Sequence, residues 1–385
     1  MPDGLATSSA LHPVHDHPGD PTPPTSGIAL CLSGGGYRAM LFHLGTLWRL
    51  NELQYLPKLD RFSSVSGGSI TNGVLAMNWD KLGFDGNGFA QNFDQQITQP
   101  IRRMAAQSID ISSILEGIFG GVSKKVADHY NQYLFHHSKL AGLPDAPRFV
   151  FNATNLQTGV LWRFSKPYMG DYKVGLVNHP DIELATAVGA SSAFPPVLSP
   201  AVLHLDPNSF DNHTVPPPVI TSADFRKLVV LSDGGVYDNL GLETAWKQNK
   251  TVLVSDGGGA LAPDSDPPHE WLGQTTRVLN VIYSQVGALR KRSVIALFAS
   301  GVRDGSYWGI GTNIANYQLP DALLCPFDFT TKLAETPTRL TAMESTLQEQ
   351  LIDWGYAVCD AAMRKHVLPG APAPAQSPYA TFKTS

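Results

Sequence analysis

The sequence predicts an α/β fold, with helices layered on both faces of a largely parallel sheet. Three observations lead to that expectation. Short apolar runs alternate with helix-period segments along most of the chain. The runs Leu228-Val229-Val230-Leu231 and Thr251-Val252-Leu253-Val254 are short and unbroken by polar alternation, as strands covered on both faces are. Several runs end in glycine-rich turns that lead directly into a helix.

Residues 1–26 are rich in Pro, His, Asp, Ser and Thr without periodicity and read as a disordered arm; His12, His15 and His17 there read as solvated. Order is expected from Gly27, with Ile28 to Leu32 as a buried strand. A helix over 38–53 follows, placing Met40, Leu41, Leu44, Leu47 and Trp48 on a core-facing side. A strand over 61–65 and a helix over 69–77 come next. Residues 80–145 read as a helical insertion, often broken by Gly and Gln, and as a candidate lid. Within it Ile111, Ile114, Leu115, Ile118, Phe119, Val122 and Val126 recur at helical offsets, with Lys124 and Lys125 at the end. That pattern fits an interfacial helix or a stripe packed on the core.

Residues 149–153 read as a strand paired in a hairpin with 161–164, and 182–190 as a helix. Strands over 228–231 and 251–254, a long helix over 275–299 and a last helix over 339–366 complete the expectation. The loops 203–224 and 256–271 are rich in Pro and Asp, and 367–385 reads as a flexible Pro/Ala-rich tail. A single domain over 27–366 accounts for the ordered part.

Composition narrows the function. Of 385 residues, 43% are hydrophobic and 16% charged, which suits a folded globular chain. A net charge of −5 and a pI near 6.2 lack the basic footprint of nucleic-acid binding. Cys31, Cys325 and Cys359 are widely spaced and suggest neither a disulfide framework nor a zinc site. No cluster shows metal-ligand spacing, and no cofactor is expected. Neither a signal sequence nor an apolar run of roughly 18 residues is seen. The expectation is a cytoplasmic protein with peripheral contact at a membrane; oligomeric state stays open.

Three segments carry chemistry, each at the end of an expected strand. Ser33-Gly34-Gly35-Gly36-Tyr37-Arg38 leads into a helix, where free N–H groups can hold a phosphate or an oxyanion. Without a Gly-Lys-Ser/Thr it is not a P-loop, and alone it fits a tight turn equally well. Ser64-Val65-Ser66-Gly67-Gly68-Ser69 has the form of a nucleophile elbow, in which only Ser66 has small residues two before and two after. Asp233-Gly234-Gly235 offers a carboxylate able to approach another loop closely. Asp256-Gly257-Gly258-Gly259 offers the same, and local sequence does not separate the two.

Together the segments resemble the patatin-like phospholipase family, whose pattern is a GGGxRG loop, a GxSxG elbow about thirty residues later and a distal DGG. Ala153-Thr154-Asn155-Leu156-Gln157-Thr158-Gly159 and Ala187-Val188-Gly189-Ala190-Ser191-Ser192-Ala193-Phe194-Pro195 are similar to further elements of that family. Asn239 follows Asp233 as the family's asparagine follows its aspartate, whereas Asp256 matches a later strand. The resemblance implies a patatin-like αβα fold and a serine acyl hydrolase acting on a lipid or membrane-surface substrate without a cofactor. Ser66 would be nucleophile and Asp233 base. Gly35 and Gly36, with Gly34 as a third candidate, would form the oxyanion hole. Arg38 and Gly67 are candidate substrate contacts; Arg38 alternatively anchors the loop. Ala39 and Ser64 stand where the family has glycine, and Ser64 puts turnover in question. Two alternatives remain: a lipid-binding module with little or no catalysis, and a Ser–His–Asp esterase drawing on His269 or His366. His43 reads as a packed residue.

Overall fold

Strand β1 (Thr25–Leu32) lies inside the sheet, parallel to β10 (Asn249–Asp256) on one side and to β2 (Arg61–Ser64) on the other. Leu30 and Leu32 enter one apolar cluster, Ala29 and Cys31 the other. Burial on both faces explains why the run shows no polar alternation. The computed structural model of the protein describes residues 25–109, 122–214 and 217–382. The strand thus begins at Thr25, slightly ahead of the expected start, and residues 1–24 lie outside the described residues.

The parallel run extends to β11 (Asp304–Gly309) beside β10 and to β3 (Arg148–Asn155) beside β2. Beyond β3 the sheet becomes antiparallel through β4 (Val160–Phe164), β5 (Tyr168–Asp171), β6 (Gly175–Asn178) and β8 (Phe210–Asp211). Strand β9 (Leu228–Asp233) also runs antiparallel to β3, and β7 (Ala201–His204) to β9.

One detail of register positions the site. β2 pairs with β3 as far as Ser64↔Phe151, and β9 pairs with β3 from Ala153↔Asp233. β4 occupies the opposite edge of β3 over Phe151 to Asn155. The C-terminal tips of β2 and β9 therefore meet along one edge of β3. A parallel β9 could not bring Asp233 there.

Helix α1 (Gly36–Glu52) and α10 (Ser345–His366) pack with their backbones close together. A Cβ on Gly45 would strike the Ile352 carbonyl, and one on Gly355 the Phe42 carbonyl. Helix α2 (Gly67–Asn78) follows β2, and the insertion contributes α3 (Gln99–Ala105) and α4 (Val122–Tyr130). Residues 110–121, which hold most of the expected lid stripe, lie outside the described residues. Its far end packs on the core, Val126 fully and Val122 in part. The remaining helices are α5 (Leu184–Ser191), α6 (Ala223–Lys227), α7 (Gly235–Asp238), α8 (Trp271–Ala299) and α9 (Phe327–Ala334).

The expected flexible tail is docked as far as it is described. Asp353 accepts from Tyr379 N–H at 2.9 Å and from Thr381 N–H and Oγ1 at 2.8 Å. Tyr379 meets Trp48 edge-on at 6.0 Å and lies 4.7 Å beneath the Arg102 guanidinium. The Pro/Ala composition hid these few anchoring residues. Among the described residues no helix is long and apolar enough to cross a membrane.

Candidate active site

Ser66 stands between β2 and α2 at φ 50°, ψ −119°, a backbone conformation that costs a residue with a Cβ on the order of 1–3 kcal/mol. Its neighbours from Phe62 to Val65 are buried while Ser66 itself is half-buried, so the turn lifts its side chain out of the core. The turn is crowded: a Cβ on Gly67 would strike the Gly36 carbonyl, and one on Gly68 would lie 2.6 Å from the Ser33 carbonyl. Ser64, the departure from glycine, fits without obstruction. Its hydroxyl bonds with Ser69 Oγ at 2.9 Å and the Val150 carbonyl at 3.2 Å and accepts from Asn72 Nδ2 at 2.9 Å.

Asp233, at the tip of β9, is 1% exposed. Its N–H donates to the Ala193 carbonyl at 2.8 Å and its carbonyl accepts from Thr154 Oγ1 at 2.8 Å, so the main chain is held on both sides. Oδ1 accepts from Gly235 N–H at 2.7 Å. Oδ2 is buried, and no donor reaches full hydrogen-bond geometry with it. Burial pushes the carboxyl up to about 7; the Gly235 N–H and the Ser66 hydroxyl, which faces it, pull the other way. Ser66 and Asp233, the pair expected from sequence, therefore lie side by side, with burial holding the carboxyl above its ordinary range.

Asp256 differs in its surroundings. Oδ1 accepts from Gly258 N–H at 2.9 Å, while Oδ2 accepts from Tyr307 OH at 2.6 Å and pairs with Lys291 at 3.4 Å. Both oxygens are engaged, which suits a brace for the loop after β10. His269 is on the surface, 3.7 Å from Asp266, and His366 packs against Tyr317; neither bonds to Ser66 or Asp233.

The glycine loop folds over the elbow, with Gly35 at φ 146° and Gly36 at φ 60°, values that only glycine holds readily. Gly34 N–H donates to the Asn239 carbonyl at 3.1 Å. That bond corrects one expectation: Gly34 positions the loop and has no N–H left for an oxyanion. The N–H groups of Gly35, Gly36 and Gly67 meet no acceptor among the described residues, and Gly67, next to Ser66, lies against the Gly36 backbone.

Arg38 is 3% exposed and turned inward. Nε donates to the Gly257 carbonyl at 3.1 Å and Nη1 to the Thr336 carbonyl, so it ties the loop after β10 to the glycine loop. His43 is fully buried, and desolvation pushes its pKa down to about 4. The neutral ring must donate from Nε2 to the Ser33 carbonyl at 2.9 Å, because a carbonyl only accepts; Nδ1 then accepts from Ser255 Oγ at 2.8 Å.

Some participants escaped the sequence. Ser191 Oγ donates to the Asn152 carbonyl at 2.6 Å while accepting the Ser66 N–H at 3.1 Å. Tyr283 of α8 reaches the site, with its hydroxyl 2.6 Å from where a Gly235 Cβ would lie and its ring edge-on to Phe194. A tyrosine in a long helix carries no local signal of this. Among the described residues no cluster of His, Cys, Asp and Glu is able to hold a metal.

The family model described as patatin-like phospholipase matches residues 30–246. Human GIVD cytosolic phospholipase A2 in complex with methyl gamma-linolenyl fluorophosphonate matches with a TM-score of 0.50 at 14% identity, covering 87% of this chain and 57% of that one. VipD from Legionella pneumophila matches with a TM-score of 0.32 at 15% identity, covering 86% of this chain and 67% of that one. The chain spans between 41% and 57% of the human enzyme's length in its different structures. The likeness to the human enzyme at 14% identity bears on the fold alone. No curated protein matches the chain.

Proposed function

We propose that this chain, which belongs to the patatin-like phospholipase family, is a serine hydrolase of lipid acyl esters working through a Ser66–Asp233 dyad. One observation carries the reading: a strained, half-buried serine lies beside a buried carboxyl whose Oδ2 has no hydrogen-bond partner among the described residues.

In the proposed reaction the Ser66 hydroxyl attacks the ester carbonyl as Asp233 takes its proton. The carbonyl electron pair moves onto oxygen, and the N–H groups of Gly35, Gly36 and Gly67 receive that charge. Collapse expels the alcohol, which leaves with the proton held by Asp233. Water then attacks the acyl-Ser66 with the same carboxylate as base, releasing the fatty acid and restoring the dyad. An ordinary aspartate is too weak a base for this near pH 7; one raised to about 7 by burial is matched to it. The substrate lies in a lipid surface, so the enzyme acts as a peripheral protein there.

The test is a panel of phospholipid, neutral lipid and acyl-thioester substrates, assayed with wild type beside Ser66→Ala. Hydrolysis of at least one class by wild type and none by the variant supports the reading. Undiminished hydrolysis by Ser66→Ala ends it, and a wild type inert on every class leaves the lipid-binding module in its place.

A further inference from the structure

Helix α8 presents a stripe that nothing in the described fold covers. Trp271, Val278, Ile282 and Leu289 are 80%, 51%, 54% and 50% exposed. At 3.6 residues per turn these four positions return to almost the same angle, so they form one line along the helix. The side turned from that line rests on the body only in its later turns: Val294 is the one buried side chain and Tyr283 packs against Phe194, while Leu272 and Leu279 are 61% and 52% exposed. Arg290 donates to Glu243 at 2.9 Å and to the Tyr237 carbonyl at 3.2 Å, and Lys291 pairs with Asp256 at 3.4 Å. The helix is thus fixed beside the candidate active site with its apolar line pointing outward.

Its charge is one-sided as well. α8 contains no Asp or Glu; Arg290 and Lys291 are taken up by Glu243 and Asp256, while Arg277 and Arg292 have no acidic partner among the described residues, in a chain whose net charge is −5. An apolar face left uncovered, on a helix with two arginines free of acidic partners and no acid of its own, suits the headgroup region of a bilayer. We propose that the outer face of α8 is a docking surface for a membrane rich in anionic lipid, holding the active-site mouth at that surface.

A second copy of the chain fits the face less well. Antiparallel pairing of the line, with Val278 over Leu289, brings Arg277 of one copy toward Arg292 of the other. Parallel pairing sets Arg277 beside Arg277 and Arg292 beside Arg292. Either arrangement repels, whereas anionic headgroups complement the cations. The reason for docking rests on the acyl-hydrolase reading, but the docking itself requires no turnover.

Co-sedimentation of the full chain as Ser66→Ala, which spares the vesicles, with phosphatidylcholine vesicles lacking or containing phosphatidylglycerol tests the proposal. Binding is expected to the anionic vesicles and to fall as salt rises. Val278→Asp with Leu289→Asp should lower it about tenfold or more, and Arg292→Glu several-fold. With an intact Ser66, the double variant should keep its melting temperature and its rate on a short soluble ester. Four results overturn the proposal: no vesicle binding, equal binding to both vesicles, a dimer in sedimentation that the double variant dissolves, or binding that appears only after residues 1–24 are removed. Binding by a wild type that hydrolyses no ester would leave docking intact and remove the enzyme reading; hydrolysis without binding would do the reverse.

Discussion

The backbone N–H of Ser66 donates to Ser191 Oγ at 3.1 Å, so the strained turn is braced by a side chain 125 positions further along. Ser191 in turn is fixed by its bond to the Asn152 carbonyl and by contact with Ser69 Oγ at 2.8 Å. Ser191→Ala should lower kcat about tenfold to a hundredfold with little change in KM, because in the proposed reaction it moves the attacking Ser66 and not the binding surface. It should also cost about 1–3 kcal/mol of stability through the unsatisfied partners, read from a denaturant melt.

Ser66→Ala and Asp233→Asn should each reduce kcat by about three orders of magnitude or more, and the double variant should be little worse, as expected of groups acting as a unit. Asp256→Asn should retain most activity, because that carboxylate braces its own loop. Reversed behaviour of the two aspartates would exchange their roles.

Activity should rise with pH with unit slope and level off above about 7, as the Asp233 carboxyl ionises. Stability should move oppositely at this site. A folded pKa above the ordinary 3.8 means that Asp233 favours the fold below that value and less so as pH climbs to about 7. Asp233→Asn should therefore be more stable than wild type at pH 8, by on the order of 1–3 kcal/mol in a denaturant melt, while being inactive.

His43 is depressed from 6.5 to about 4, so it weakens the fold as pH falls from 6.5 toward 4, when the unfolded chain takes up a proton that the native ring refuses. His43→Gln should flatten part of that acid loss. It should also lower kcat more than it changes KM, because the Ser33 carbonyl and the glycine loop lose their fixed donor. Pushing His43→Phe through the same measurements should give a larger stability loss, about 2–4 kcal/mol, with both polar partners orphaned.

Chelation should leave hydrolysis of a soluble ester unchanged, because backbone N–H groups supply the electrophile in the proposed reaction. An activity lost to chelator and restored by a divalent cation would place a metal in the chemistry.

How much of this was legible depends on whether a signal was local. The helices of α1 and α2 and the strands β1, β2 and β10 show their burial directly in apolar runs and periodicity, and the glycine turns mark where they end. β5, β6 and β8 are short, partly polar and defined by pairing across the sheet, so no window of sequence announces them. The antiparallel direction of β9 is likewise a property of register. At the site, Ser66 and Asp233 stood out by their small neighbours and the family pattern. The loss of Gly34 as an oxyanion donor depends on where the Asn239 carbonyl points, and Tyr283 depends on how α8 is laid across the body. Both are tertiary facts.

The position of β1 also governs how the chain comes off the ribosome. Its partner on one edge, β10, ends at Asp256, so during synthesis β1 and β2 emerge long before that edge can be closed. Over that interval Ile28 to Leu32 form an open apolar strand edge, the kind that recruits other chains. Fragments ending near residue 246, where the family match stops, would keep Ser66 and Asp233 yet lack β10 and leave that strand edge open.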